Sequence, residues 1–174
     1  SQPDMPAPFR GAESWHYSSP EQTISHPAEN NNAASYDIYH RSNMSWDELE
    51  IAQGIYNWSY INTIFNDAIT KKQRVSLGIM TQRPGQSSGT NAGGAYMSYP
   101  LYLHNLMQND LENNRDYIAY SQNIWIPNYN SNYYLSRFEA LLQALAGHIN
   151  NSSFQGVSYR DVLGYVDIRG YGSW

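Results

Sequence analysis

The clearest periodic pattern in the chain is an apolar stripe made by Ile61, Ile64, Phe65, Ala68 and Ile69. Spacings of i, i+3, i+4, i+7 and i+8 place these side chains on one side of a helix. The pattern predicts a helix from about Ser59, read as its N-cap, to Lys72, where Lys71 and Lys72 suit the negative end of the dipole. Directly after it, Arg74 to Gln82 alternates strictly. Val75, Leu77 and Ile79 fall on one side, Ser76, Gly78, Met80 and Gln82 on the other, as in a strand with two different environments. A second helix is predicted over 131–150, with Leu135, Phe138, Leu141, Leu142, Leu145 and Ile149 on its apolar stripe. The chain then returns to alternation from Val162 onward, as a buried strand with Leu163, Tyr165, Asp167 and Arg169 on one face. Val162, Val166 and Ile168 occupy the other.

Earlier segments are weaker. Tyr36 to Asn43 is β-prone and alternating, and Phe9 to Ser14 allows a short strand within an irregular lead-in over 1–34. Trp46 to Glu50 reads as a turn or short helix, and Gly54 permits a reversal before Tyr56 and Trp58. Residues 83–130 carry little periodicity and read as a long loop inserted after the third strand, with a Gly/Ser/Asn-rich flexible part from Arg83 to Gly94 and a short helix somewhere after Leu101. Connections this long in compact domains usually carry function.

Strands that alternate with helices predict an α/β fold with a parallel sheet and right-handed crossovers. Four such strands amount to the N-terminal half of a parallel (β/α) barrel of TIM type, which takes roughly 250 residues when complete. The expectation is therefore one domain over 1–174 that is incomplete, or is completed by a second chain or a missing C-terminal half.

Composition narrows the partners. Charged residues make up 14% of the chain and the net charge is -5, so there is no basic footprint for nucleic acid. Sixteen Tyr and five Trp among many Asn, Ser and Gln suit neutral polar ligands such as sugars. No apolar run is long enough to span a membrane. With no cysteine there is no thiolate metal site, and His16, His26, His104 and His148 lack ligand spacing, so no metal is expected. Neither a phosphate loop nor a G-x-S-x-G elbow is present, and no cofactor is expected.

Three segments carry a family resemblance. Pro8-Phe-Arg-Gly11 resembles the NP-x-RG opening of bacterial glycoside-hydrolase-like barrels related to the β-galactosidase and cellulase superfamily. Trp46-x-x-Leu-Glu50-x-x-x-Gly54-x-Tyr56-x-Trp58 is similar to their W-x-x-LEP-x-x-G-x-Y-x-W segment, with Ile51 where proline is usual. Tyr165-Val-Asp-Ile-Arg-Gly-Tyr-Gly-Ser-Trp174 resembles their fourth strand, which ordinarily continues GEW. The resemblance runs from about Pro8 to Trp174 and leaves 83–130 unmatched. It implies a retaining glycoside hydrolase of a secreted, periplasmic or cell-surface protein, its signal peptide already removed. Such an enzyme uses two carboxyl groups about 5–5.5 Å apart. The family's general acid/base follows the fourth strand and its nucleophile the seventh, so the catalytic residues lie beyond this chain and the segment alone is expected to be inactive.

Within the chain, the expected contributors to a substrate-binding wall are Arg41, Asn43, Gln82, Asp167, Arg169, Trp15 and Trp174. Arg41 and Asn43 share a face at the end of the second strand, and the resemblance implies an Arg there to hold the nucleophile. Asp167 and Arg169 are either a support pair for a site or an ion pair that only satisfies itself. Trp15 and Trp174 are either sugar-stacking platforms or packing residues; Trp46 and Trp58 read as packing. Glu50 reads as a local cap or surface acid. The alternative function is a non-catalytic carbohydrate-binding or protein-interaction module on the same barrel.

Overall fold

The computed structural model describes residues 44–111, 114–119 and 121–167, together with the backbone of residues 13–15 and 35–38. In chain order the described elements begin with β1 (Glu13–Trp15), β2 (Ser35–Ile38) and a helical turn, α1 (Trp46–Leu49). A hairpin follows, β3 (Glu50–Ala52) and β4 (Ile55–Tyr56), and then α2 (Ser59–Lys71) and β5 (Arg74–Gly78). An inserted unit holds β6 (Asn91–Ala92), β7 (Ala95–Tyr96), α3 (Leu101–Gln108), β8 (Tyr117–Ala119) and β9 (Ile124–Ile126). The chain closes through α4 (Asn132–Asn151), a hairpin of β10 (Ser153–Phe154) and β11 (Val157–Ser158), the turn α5 (Tyr159–Val162) and β12 (Leu163–Asp167).

The fold is mixed α/β. Strands β1, β2, β5 and β12 lie side by side in that order, and every neighbouring pair is parallel. No closed barrel is present among the described residues. The crossover from β2 to β5 carries α2, and that from β5 to β12 carries α4. Burial explains why β5 is central: Val75 and Leu77 join the apolar core while Ser76 on the opposite face is only 1% exposed. A parallel strand covered on both sides is the expected state of such a sheet.

The stripe of α2 holds as read, with Ile61, Ile64, Phe65, Ala68 and Ile69 all in the core. Its start is corrected. Trp58 is the N-cap, and Ser59 is the first helical residue, its N–H donating to Asn57 Oδ1 at 3.1 Å. At the other end Lys72 adopts a left-handed conformation (φ 57°) that lets its N–H reach the carbonyls of Ala68 and Ile69, and Lys71 pairs with Asp67 at 3.1 Å. In α4 the cap is Ser131, as the boundary required, but Leu135 is 53% exposed and Tyr134 takes the inner position. The Tyr134 ring meets Trp46 edge-on at 5.5 Å and stacks on Phe138 at 5.9 Å.

Three strand expectations change. β5 stops at Gly78, and the ladder resumes as a single parallel bridge between Met80 and Ser45. Val162 belongs to α5 rather than to the last strand, because a helical turn delivers the chain to the sheet. β12 is not buried: Tyr165 and Val166 are 41% and 38% exposed. The physical reason is its place at one end of the described sheet order, where β5 alone covers it.

The inserted segment is structured rather than a loop. It forms a sheet of order β6-β7-β9-β8 and the helix α3, with Met97, Tyr99, Leu103 and Met107 reaching the common core. Its Gly/Ser/Asn-rich entry is held by Gln86, whose Nε2 donates to the carbonyls of Ser88 and Met97 at 2.9 and 3.0 Å. Gln86 Oε1 accepts from Ser98 at 2.8 Å. Gly89, at φ +100°, passes close to this amide, and a Cβ there would sit 3.1 Å from Gln86 Nε2. No helix among the described residues is long and apolar enough to cross a membrane.

Candidate functional site

The end of the parallel sheet to which β2 and β5 run is where an α/β fold gathers its chemistry. Here the Ser45–Met80 bridge locks two strand ends together, through Trp46 N–H to the Met80 carbonyl (3.0 Å) and Met80 N–H to the Met44 carbonyl (3.1 Å). The turn α1 starts at that point. Ser45-x-x-Glu48 is a capping box, in which Glu48 Oε2 accepts from the Ser45 hydroxyl at 2.9 Å and from its N–H at 3.4 Å. Glu48 is thereby occupied by the cap.

Asp47 differs. Its Oδ2 accepts from Thr90 at 2.8 Å, and its N–H donates to the Ser98 carbonyl at 3.3 Å, so the first turn after β2 is tied to the insertion after β5. Its Oδ1 is buried and has no hydrogen-bond partner. Burial raises the Asp47 pKa above the ordinary aspartate value, opposed by the hydrogen bonds from Thr90 and Ser45 and by the Arg83 charge. Glu48 is raised by burial as well, with the neighbouring Asp47 adding to the effect. A carboxyl with raised proton affinity and an unused oxygen, at this end of the sheet, can accept from or donate to a hydroxyl once solvent or ligand reaches it.

Glu50 corrects an expectation. It is the C-cap of α1, as read, but no surface acid: it is 1% exposed, with four donors on its two oxygens. Oε2 accepts from Trp46 Nε1 at 2.7 Å; Oε1 accepts from Gly54 N–H (2.9 Å), Tyr102 OH (2.7 Å) and Arg137 Nη2 (3.1 Å). Arg137 Nε also donates to the Tyr102 oxygen at 3.1 Å. Burial and then Glu50 itself push the Tyr102 phenol far up. Oε1 is crowded by three donors and Oε2 is held by Trp46, so this group fastens α1, the first hairpin, α3 and α4 together.

Of the expected wall residues, Gln82 is half-buried just past β5, and its Oε1 accepts from Tyr129 OH at 3.2 Å. The backbone of Trp15 pairs with Asp37, and that of Asp167 pairs with Gly78. The side chains of Trp15 and Asp167, and the residues Arg41, Asn43, Arg169 and Trp174, lie outside the described residues. Trp46 and Trp58 pack as read: Trp46 is fully buried, and Trp58 is stacked between Tyr56 (5.1 Å) and His148 (5.4 Å). Among the described residues no group of three or more His, Cys, Asp or Glu is placed to hold a metal.

Sequence reasoning missed a polar cluster within the insertion. Asp116, buried just before β8, accepts from Tyr99 OH at 2.7 Å and faces His104 Nδ1 at 2.6 Å. Gln108 donates to its second oxygen. Burial first, and the Asp116 charge second, push the Tyr99 phenol well up. Only the His104/Gln108 pair at i, i+4 on one helix hinted at this; Tyr99 and Asp116 come from segments whose spacing signals nothing.

No family model, curated protein or solved structure matches this chain.

Proposed function

We propose that the chain is the N-terminal half of a glycoside-hydrolase-like (β/α)8 barrel that handles polysaccharide or oligosaccharide outside the cytoplasm, in a secreted, periplasmic or cell-surface protein. The observation that carries this reading is the strand order. β1, β2, β5 and β12 neighbour one another in the order in which the chain makes them, all parallel. A barrel winds in one direction, whereas doubly wound sheets reverse their order at a switch point. The exposed Tyr165 and Val166 on β12 fit a sheet that continues beyond its fourth strand. Low charge and abundant Tyr and Asn fit a neutral hydroxylated ligand.

On this reading Asp47 and Gln82 belong to the site wall with Arg41, Asn43, Asp167, Arg169, Trp15 and Trp174, and a retaining pair of carboxylates is supplied by sequence beyond this chain. The test is a titration of the protein with neutral soluble oligosaccharides, followed by tryptophan fluorescence and by release of reducing ends. Saturable binding without release of reducing ends is the expected result. Failure of every β-linked and α-linked series to bind would overturn the carbohydrate reading and leave a protein-interaction module.

A further inference from the structure

His104 and Asp116 form a pair whose geometry goes beyond holding a loop. Asp116 is a carboxylate with Tyr99 OH and Gln108 Nε2 already donating to it, so it faces the imidazole as an acceptor. The 2.6 Å separation therefore assigns the ring proton to Nδ1 of His104. In the neutral ring that leaves Nε2 as a lone pair with fixed direction, the arrangement in which a carboxylate orients a histidine for work at its other nitrogen.

Nε2 has no partner among the described residues, yet it is not among the buried atoms left unsatisfied. His104 as a whole is 7% exposed, so a small part of the residue reaches solvent. Beside it stands Trp125 on β9, half-buried, its ring centroid 4.4 Å from that of His104 and inclined by 61°. Trp125 is itself fixed, because Nε1 donates to the Ala92 carbonyl at 2.9 Å. A rigid apolar ring set edge-on to a fixed acceptor matches a ligand that combines C–H surface with hydroxyl donors.

We propose that His104 Nε2 and the Trp125 ring form a binding site for a neutral polyhydroxylated ligand, with Nε2 accepting from a ligand hydroxyl. The site lies in the insertion; it rests on the carbohydrate part of the preceding reading and not on the barrel. Tyr99, Gln108 and Asp116 act as positioning residues.

The test is nitrogen-15 NMR of the histidine side chains during titration with the oligosaccharide series. The free protein is expected to show His104 as the Nδ1–H tautomer, and its Nε2 and the Trp125 indole signals are expected to shift saturably. An Nε2–H tautomer would overturn the proposal before any ligand is added. Oligosaccharide binding that moves other residues but leaves Nε2 unmoved would overturn it and leave the wider carbohydrate reading standing. No shift anywhere would overturn both. The variant His104→Asn keeps a donor towards Asp116 and removes Nε2; an unchanged melting temperature with affinity reduced about tenfold, the usual worth of one hydrogen bond, is expected. Unchanged affinity would overturn the proposal.

Discussion

Arg137 donates from Nη2 to Oε1 of Glu50 at 3.1 Å, joining positions 87 residues apart in the chain. The two partners are not equivalent, since Arg137 keeps some exposure while Glu50 has none at its side chain. Removing one member of a buried ion pair costs about 3–5 kcal/mol when the other charge is stranded. Arg137→Ala does not fully strand Glu50, because Trp46, Gly54 and Tyr102 still donate. Its loss is therefore expected at about 1–2 kcal/mol. Glu50→Ala takes the acceptor from four donors at once, the Trp46 indole among them fully buried, and is expected to cost about 3 kcal/mol or more. Urea unfolding of both variants checks this. Equal losses would mean that the ion pair, and not the hydrogen-bonded cage, sets the stability.

What the amino-acid pattern revealed depended on how far each cause reached along the chain. The α2 stripe was legible because all five core positions lie within nine residues and share one helix face. The alternation of β5 was legible for the same reason, though its end was not, since the Ser45 backbone that takes over from β2 lies outside that window. Tyr134 was passed over for Leu135 because a hydroxyl makes tyrosine look polar, while its ring is what Trp46 and Phe138 pack against. The cap role of Glu50 was legible, but its burial was not, since that burial is justified by Tyr102 and Arg137, which no local pattern could connect to it. The inserted sheet had no signal at all: strands of two or three residues are too short for alternation to register. Asp47 lay within the turn or short helix read over Trp46 to Glu50, but its unused Oδ1 is a property of packing alone.

Ser76 carries a buried hydroxyl with no hydrogen-bond partner on the face of β5 opposite the core residues Val75 and Leu77. A stranded buried polar group costs about 1–3 kcal/mol, and exchanging a hydroxyl for hydrogen leaves little void. Ser76→Ala is expected to raise the urea midpoint, with a gain of up to about 1 kcal/mol. A fall in the midpoint would show that the hydroxyl is satisfied in solution, by water or by a neighbouring strand.

Asp47 should report on whether the strand ends sacrifice stability for a site. Its folded pKa is raised by burial, so the fold disfavours the ionised form. For an acid shifted this way, stability is greatest below the unfolded value of 3.8 and declines as pH rises through the folded value. The deficit is complete once pH has passed above the folded value. Asp47→Asn keeps an acceptor for Thr90, loses the attraction of Arg83 and removes the buried charge. Desolvation is the largest of these influences, so the variant is expected to unfold at higher urea than the parent at pH 7, with the gap closing below pH 4. If Asp47 belongs to the site wall, the same variant binds oligosaccharide more weakly despite its greater stability. A variant less stable than the parent at pH 7 would make Asp47 a structural anion.

His148 gives the opposite sign within the physiological range. Its ring lies between Trp58, stacked at 5.4 Å, and Tyr159, edge-on at 6.1 Å. Nε2 is 2.6 Å from Asn62 Oδ1, an acceptor, so Nε2 carries the proton of the neutral ring and Nδ1 is left to face the Ser152 hydroxyl at 3.4 Å. The aromatic faces attract a cation, whereas burial removes the water that would solvate one. Burial wins, and the pKa falls below the ordinary 6.5. The folded state thus binds this proton less readily than the unfolded chain. The contribution to stability is complete above about pH 6.5 and is lost as pH falls below that value towards the folded pKa, while unfolding takes up a proton. The urea midpoint of the parent is therefore expected to drop between pH 7.5 and 5 by more than that of His148→Gln, which cannot titrate. Parallel pH profiles for the two proteins would mean that the ring is solvated in either charge state. A parent that gains stability on acidification relative to the variant would mean that the attraction of Trp58 and Tyr159 for the imidazolium outweighs its desolvation.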